Sequence, residues 1–518
     1  MGTLVALLVH LGLSISGGAA LLAACGAATW PALPAEALVL GMFVETTLAA
    51  GLFYLGCPLP VALAVPWALG LAGLAWAVRR RRGALFPPRL PRPAWHEWVL
   101  LAVLAEKALS VARTLAASPI IFDDALTAWA GRGRTLFTGV NFSLDRHIFP
   151  FLGFSGPPDY PLAGPVWDAG TAFLAGGWND VLARADGALA WAVLACALWA
   201  AVQRATHYRL AASLAGLAAL LLPFPFWHAL SGYADLPMAA AVTVSLGLLC
   251  RGAYLPAGLA AAATVWTKND ALYIMVPSLL LACLLRACPL RDLLRLRVFA
   301  PEPAKALGLF LAGLAACSPW LAFRVLVIEE ARFSLPAGLT LAGAAGALTA
   351  AVLFLARSRS PQAARLRPVL AATGLPLLLA AIATGLAVVL AHRLQSTELA
   401  WHPEAPRLFA GILLADTHAA LWPFVAALLL AGVPRLASEP AGRAALAGLL
   451  APLAAVFFIF SCTPAFDFLV VETTVHRSLL QLYGPALLTA FLGLAGPSNK
   501  NAGPVPGTGV PAENSDSV

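Results

Sequence analysis

Residues 59–82 read LPVALAVPWALGLAGLAWAVRRRR. A long uncharged run ends abruptly in four arginines, Arg79 to Arg82. An apolar stretch of about 20 residues is long enough to cross a bilayer as a helix. A basic run directly behind it marks the cytoplasmic side, because Lys and Arg are retained there. Outward from this segment in both directions, the same alternation of apolar run and polar break recurs along the chain.

Composition agrees. The 518 residues are 60% hydrophobic and 11% charged, and the mean hydropathy is +0.83. A soluble protein carries about 25% charged residues. The shortfall excludes a soluble globular enzyme and a disordered chain. The net charge of +8 does not indicate nucleic-acid binding, which needs basic residues gathered on one accessible face. Here they are scattered between apolar runs. The eight cysteines form no C-x-x-C pair and lie mostly inside those runs, as small apolar residues rather than a disulfide or zinc framework.

The expected fold is therefore an all-α integral membrane protein, a polytopic helical bundle of about 13–15 spans. Candidate spans fall at 4–25, 37–56, 60–78, 97–117, 186–203, 210–227, 236–250, 254–267, 270–287, 305–328, 338–356, 369–391, 408–433, 443–462 and 478–495. No Lys or Arg precedes the first run, so it reads as a transmembrane helix rather than a cleaved signal peptide. Leu22-Ala23-Ala24-Cys25 also resembles a lipoprotein cleavage box. Counted alternately from Arg79, the cytoplasmic loops hold about twice as many basic residues as the outer segments. That places the N-terminus outside and the C-terminus inside.

Four regions follow: N-terminal spans over 1–95, a core over 96–300 with a long outer loop at 118–182 carrying interfacial helices, further spans over 301–496, and a Pro-, Gly- and Ser-rich cytoplasmic tail at 497–518. No repeat at the period of a solenoid is visible.

Charge beside a bilayer is costly, so its placement is informative. The distinctive polar clusters all fall on the expected outer face: Asp123-Asp124, Arg132 and Arg134, Asp159-Tyr160, Asp235, Lys268-Asn269-Asp270, and Arg477. In 125–137, Leu126, Trp129, Gly133, Leu136 and Phe137 share one side of a helix. Each cluster has two readings. Asp123 or Asp124 caps the helix that follows, or one of them takes a proton from an attacking hydroxyl. Arg132 and Arg134 meet lipid headgroups, or their guanidinium forks bind phosphate. Lys268 snorkels in a pair with Asp270, and Arg477 snorkels at the start of the last span, or both hold an anion. The histidines lack zinc-ligand spacing. No metal set is called for and no cofactor, with a divalent ion left open.

Asp124-Ala125-Leu126 with Trp129, Arg132 and Arg134 resembles the D-A-L-x-x-W-x-x-K-x-K segment of bacterial GT-C superfamily glycosyltransferases, of the protein O-mannosyltransferase and aminoarabinose transferase type. Pro158-Asp159-Tyr160-Pro161-Leu162 is similar to their P-D-Y-P-L motif. Tyr233-Ala234-Asp235-Leu236-Pro237 and Trp266-Thr267-Lys268-Asn269-Asp270 resemble two further signatures, and Thr473-Thr474 with Arg477 resembles a C-terminal element. Pro157 stands where that family has His, and the basic pair is Arg rather than Lys.

The resemblance implies transfer of a glycosyl group from a polyprenyl-phosphate sugar to a glycan, lipid or protein acceptor. It places the enzyme in a bacterial inner membrane with its site facing the periplasm. Asp124 is then the base, with Asp123 as the alternative. Arg132, Arg134, Lys268 and Arg477 hold the leaving phosphate. Asp159, Tyr160, Asp235, Asn269 and Asp270 complete the substrate site. No Gly-rich phosphate loop appears, which speaks against a nucleotide sugar. The competing class is a multi-span lipid or sugar transporter, which should show paired halves and helices broken near the midplane.

Overall fold

The computed structural model describes residues 2–30, 32–86, 92–118, 120, 124–138, 160–294, 301–323, 399–415, 421–471 and 473–495. Among them there is no strand. The first group is α1 (Thr3–Ala24), α2 (Leu33–Tyr54), α3 (Leu59–Leu85) and α4 (Trp95–Ala117). A π-helical turn (Ala125–Trp129) leads into α5 (Ala130–Thr138), and α6 is Ala163–Ala175. The central group is α7 (Ala185–Thr206), α8 (Arg209–Leu221), α9 (Pro223–Ser231), α10 (Asp235–Cys250), α11 (Tyr254–Thr267), a second π-helical turn (Ala271–Met275) and α12 (Val276–Ala287). After α13 (Leu290–Leu294) come α14 (Pro301–Leu314), α15 (Ser318–Phe323), α16 (Ala405–Ala415), α17 (Leu421–Ser438), α18 (Pro440–Cys462), α19 (Phe466–Val470), α20 (Thr473–Leu480) and α21 (Tyr483–Leu494).

Among the described residues, seven helices are long and apolar enough to cross a membrane, and four shorter apolar helices accompany them. The chain is an all-α polytopic membrane protein. The spans expected at 338–356 and 369–391, and the tail 497–518, lie outside the described residues. Three expected spans are built differently. The run 210–227 becomes α8 and α9, bent by 57°. Pro223 at the junction has no N–H to continue the ladder, and its ring crowds the preceding turn. The run 408–433 is covered by two separate helices, α16 and α17, with residues 416–420 between them outside the described residues. The run 478–495 divides into α20 and α21, where Gln481 leaves the helix for a polar partner.

At the centre lies α10, buried along its whole length except Pro237, as befits a helix that is apolar on every side. It packs on α7, α11, α18 and α21. Lipid tails are as apolar as leucine, so helices are drawn together by close contact of small residues. On α1 and α2 this contact is extreme: a Cβ on Gly18 would lie 1.8 Å from the Ala37 carbonyl oxygen, and one on Gly41 1.7 Å from that of Ser14. All eight cysteines are free.

Candidate active site

The turn at Gly252 sends α11 back along α10. The first residue of α10 and the residue after α11 therefore meet at one end of the bundle. These residues are Asp235 and Lys268. Lys268 Nζ lies 2.7 Å from Asp235 Oδ1 and 2.9 Å from Asp270 Oδ2. From α20, Arg477 Nε donates to Asp235 Oδ2 at 3.0 Å, and its Nη1 donates to Asp124 Oδ2 at 2.6 Å. One turn on, Gln481 Nε2 donates to Asp235 Oδ1 at 2.9 Å. The Arg477 guanidinium also lies 4.3 Å from the centre of the Tyr233 ring, a cation–π contact.

The cluster is layered. Asp235 is fully buried, Lys268 nearly so, while the side chains of Asp124 and Asp270 are 39% and 44% exposed. An isolated buried carboxylate is prohibitively costly, and two cations and an amide meet that cost for Asp235. Burial alone would push the Lys268 ammonium down. Asp235 and Asp270 outweigh it and hold that group above its ordinary value. Three carboxylates against two cations leave the cluster one negative charge in excess, carried at its exposed rim.

Asp124 and Asp270 each open one of the two π-helical turns, and neither side chain makes a capping hydrogen bond. The capping reading of Asp124 thus fails, since its carboxylate turns to Arg477 instead. Single π-turns occur often at functional sites. This one also changes the register. Leu126, read on one helix side with Trp129, is 44% exposed, while Trp129 is buried along with Ala128 and Ala130.

Arg132 is buried, and its Nη1 donates to the Tyr160 carbonyl at 2.7 Å. The Trp129 ring stacks on Tyr160 with centroids 5.2 Å apart. Arg132 therefore holds protein backbone, contrary to the headgroup reading. Arg134 is exposed on α5, and Asn269 is buried beside Lys268. Burial pushes the Tyr160 phenol up, with Lys268 opposing and Asp270 and Asp124 adding to it. Asp123 and Asp159 lie outside the described residues.

Backbone geometry sets the approach. Gly232 closes α9 with φ +73°, where a side chain is strained. A Cβ there would come within 3.1 Å of Arg184 Cγ and 3.4 Å of Ala125 Cβ. Glycine lets the Tyr233–Asp235 corner sit against the segment that carries Asp124.

Beside the cluster a narrow apolar cavity of about 70 Å³ runs between α2, α6, α7, α10 and α11. Met42, Phe43, Val193 and Trp266 line it. Ala234 and Thr267, each adjacent in sequence to a member of the cluster, also line its wall. Among the described residues, Asp186 is the one charged group in that wall. Sequence reasoning missed Asp186, Gln481 and the buried Asp168, whose Oδ1 has no hydrogen-bond partner. An acid at the head of the apolar run 186–203 was the available signal for Asp186. Gln481 gave none.

No family profile matches the chain, and no curated protein does. Among solved structures it is similar to the archaeal oligosaccharyltransferase AglB from Archaeoglobus fulgidus, in complex with an inhibitory peptide and a dolichol-phosphate. The identity is 15% and the TM-score 0.44, over 77% of this chain and 50% of that one. The match thus spans half the length of the archaeal protein.

Proposed function

We propose that this protein is a membrane glycosyltransferase that moves a sugar from a polyprenyl-phosphate carrier to an acceptor at the outer face. One observation carries the reading. Five charged residues from four remote segments, Asp124, Asp235, Lys268, Asp270 and Arg477, meet beside an apolar crevice. An apolar wall next to fixed cations is what the prenyl chain and the phosphate at its head would each require.

In this reading the donor's phosphate displaces Asp124 from Arg477. The acceptor oxygen attacks the anomeric carbon as the bond from that carbon to the phosphate oxygen breaks. The acceptor's proton passes to the released Asp124 carboxylate. Lys268 and Arg477 stabilise the charge that develops on the departing polyprenyl phosphate, worth several kcal/mol in a partly dry site. Asp235 touches no reactant; it fixes both cations. A single displacement inverts the sugar carbon. No cofactor enters the scheme.

The test is transfer from a polyprenyl-phosphate sugar by purified protein. Asp124→Asn should abolish turnover while donor binding persists. Unchanged turnover in folded Asp124→Asn protein removes the proposed base. If Asp123→Asn abolishes transfer instead, the base is Asp123.

A further inference from the structure

A second polar site lies at the opposite end of the bundle. α10 runs from Asp235 to Cys250, so Arg251 and the turn that follows leave at the face away from the charge cluster. There a cleft of about 560 Å³ opens between the α1–α2 turn, the end of α7, the α10–α11 turn and α14. Arg204, Arg251, Thr29 and Tyr254 contribute its polar wall. Arg286, from the last turn of α12, donates through Nε to the Cys250 carbonyl at 3.1 Å. Its Nη2 would be 3.5 Å from a Cβ at Gly252.

Two guanidinium groups thus line the cleft and a third, Arg286, stands behind the Gly252 turn in its wall, with two carboxylates near them. Glu36 pairs with Arg251 at 2.5 Å, and Glu302 faces Tyr254. The Nε donors of both Arg204 and Arg251 are buried without an acceptor. Like charges held together, with donor capacity left over, are costly beside a membrane and are relieved by an anion. Aromatic residues mark this end as interfacial: Tyr208 is 50% exposed, and Trp30, whose carbonyl accepts from Arg204, is 36% exposed. The basic residues are those that the alternation of charge places in the cytoplasm.

We propose that this cleft binds a phosphate group, presented by an anionic phospholipid or free in solution. Basic pockets between helices at a cytoplasmic face take lipid headgroups in this way. The site is independent of the transferase reading, since the two lie on opposite faces.

The experiment is native mass spectrometry of the full chain, stripped of lipid in detergent and offered phosphatidylglycerol or phosphatidylcholine, with and without inorganic phosphate. Wild-type protein should retain phosphatidylglycerol and not phosphatidylcholine. Arg204→Gln and Arg286→Gln, each checked as monodisperse, should weaken that retention about tenfold by removing a charge-assisted hydrogen bond. They spare the Glu36–Arg251 pair. Retention that survives millimolar phosphate identifies the lipid as the source. Loss of retention to phosphate, with thermal stabilisation by phosphate alone, identifies the free anion. Equal retention of the two lipids with no stabilisation by phosphate overturns the proposal on wild-type protein. So does undiminished phosphatidylglycerol retention in both folded variants.

Discussion

Asp235 and Glu45 are both carboxylates buried in the bundle, and each gathers partners from distant parts of the chain. Glu45 accepts from Ser14 at 2.6 Å and from the Trp67 indole at 2.9 Å, and it meets the His10 ring at 2.5 Å. The other His10 nitrogen lies 2.7 Å from Thr171 Oγ1, and the ring stacks on Trp167. Every member of that network is buried. It ties α6 to α1, α2 and α3 and offers a ligand nothing to reach. The Asp235 network is equally dry at its base but ends on Asp124 and Asp270, which are partly exposed, and its neighbours Ala234 and Thr267 line a cavity. Buried polarity among membrane helices therefore does not mark a site by itself. A site also needs an end that substrate can touch.

The largest expected contrast is in rate. Asp124→Asn should lower transfer by about 10²- to 10⁴-fold, the usual contribution of a positioned base. Its unfolding temperature should stay near wild type, because a half-exposed pair contributes only about 0–1 kcal/mol. Paired turnover and thermal unfolding measurements in detergent check this. A large loss of stability alongside the loss of rate would make Asp124 another structural tie, and the contrast with Glu45 would vanish.

Asp235→Asn comes next. It takes the buried partner from both cations and leaves Lys268 only Asp270 and Arg477 only Asp124 at the exposed rim, and breaking a buried pair by removing one partner costs about 3–5 kcal/mol. Little monodisperse protein should survive size-exclusion chromatography. A stable, active variant would mean that water reaches the base of the cluster.

Glu45→Ala should lower stability and leave the rate alone, since it leaves buried donors on Ser14, Trp67 and His10 unmet, each at about 1–3 kcal/mol. Transfer per folded molecule should be unchanged. If turnover collapsed in folded Glu45→Ala protein, the closed network would belong to the site after all.

Membrane class and helix positions were legible because apolar run length and basic breaks follow directly from bilayer thickness and charge retention. The meeting of Asp124, Asp235, Lys268, Asp270 and Arg477 was legible in outline, since alternating topology assigned all of them to one face. Of their pairings only Lys268 with Asp270 was. Nothing local to Asp124 distinguishes a helix cap from a partner of Arg477, which lies 353 residues away. The π-helical turn at Ala125–Trp129 was invisible for a related reason. A 3.6-residue period cannot show a π-turn, which depends on the tertiary contacts that pull Asp124 and Trp129 to their partners. Gln481 was invisible because a lone amide at a helix break has no pattern.

The smallest expected effect sharpens the comparison at its edge. Arg132 was expected to meet phosphate, yet its Nη1 is spent on the Tyr160 carbonyl. A positioning role and a phosphate-binding role differ in which property of the side chain matters. For positioning, an N–H donor suffices, so Arg132→Gln should keep most of the function. Arg132→Ala should then raise KM for the donor about fivefold with kcat little changed, equivalent to about 1 kcal/mol for one hydrogen bond. For phosphate binding, charge is what counts, so Arg132→Gln should be as harmful as Arg132→Ala, and kcat should fall with it. Steady-state kinetics of the two variants side by side decide between a residue that completes the open cluster and one that, like Glu45, only holds its scaffold in place.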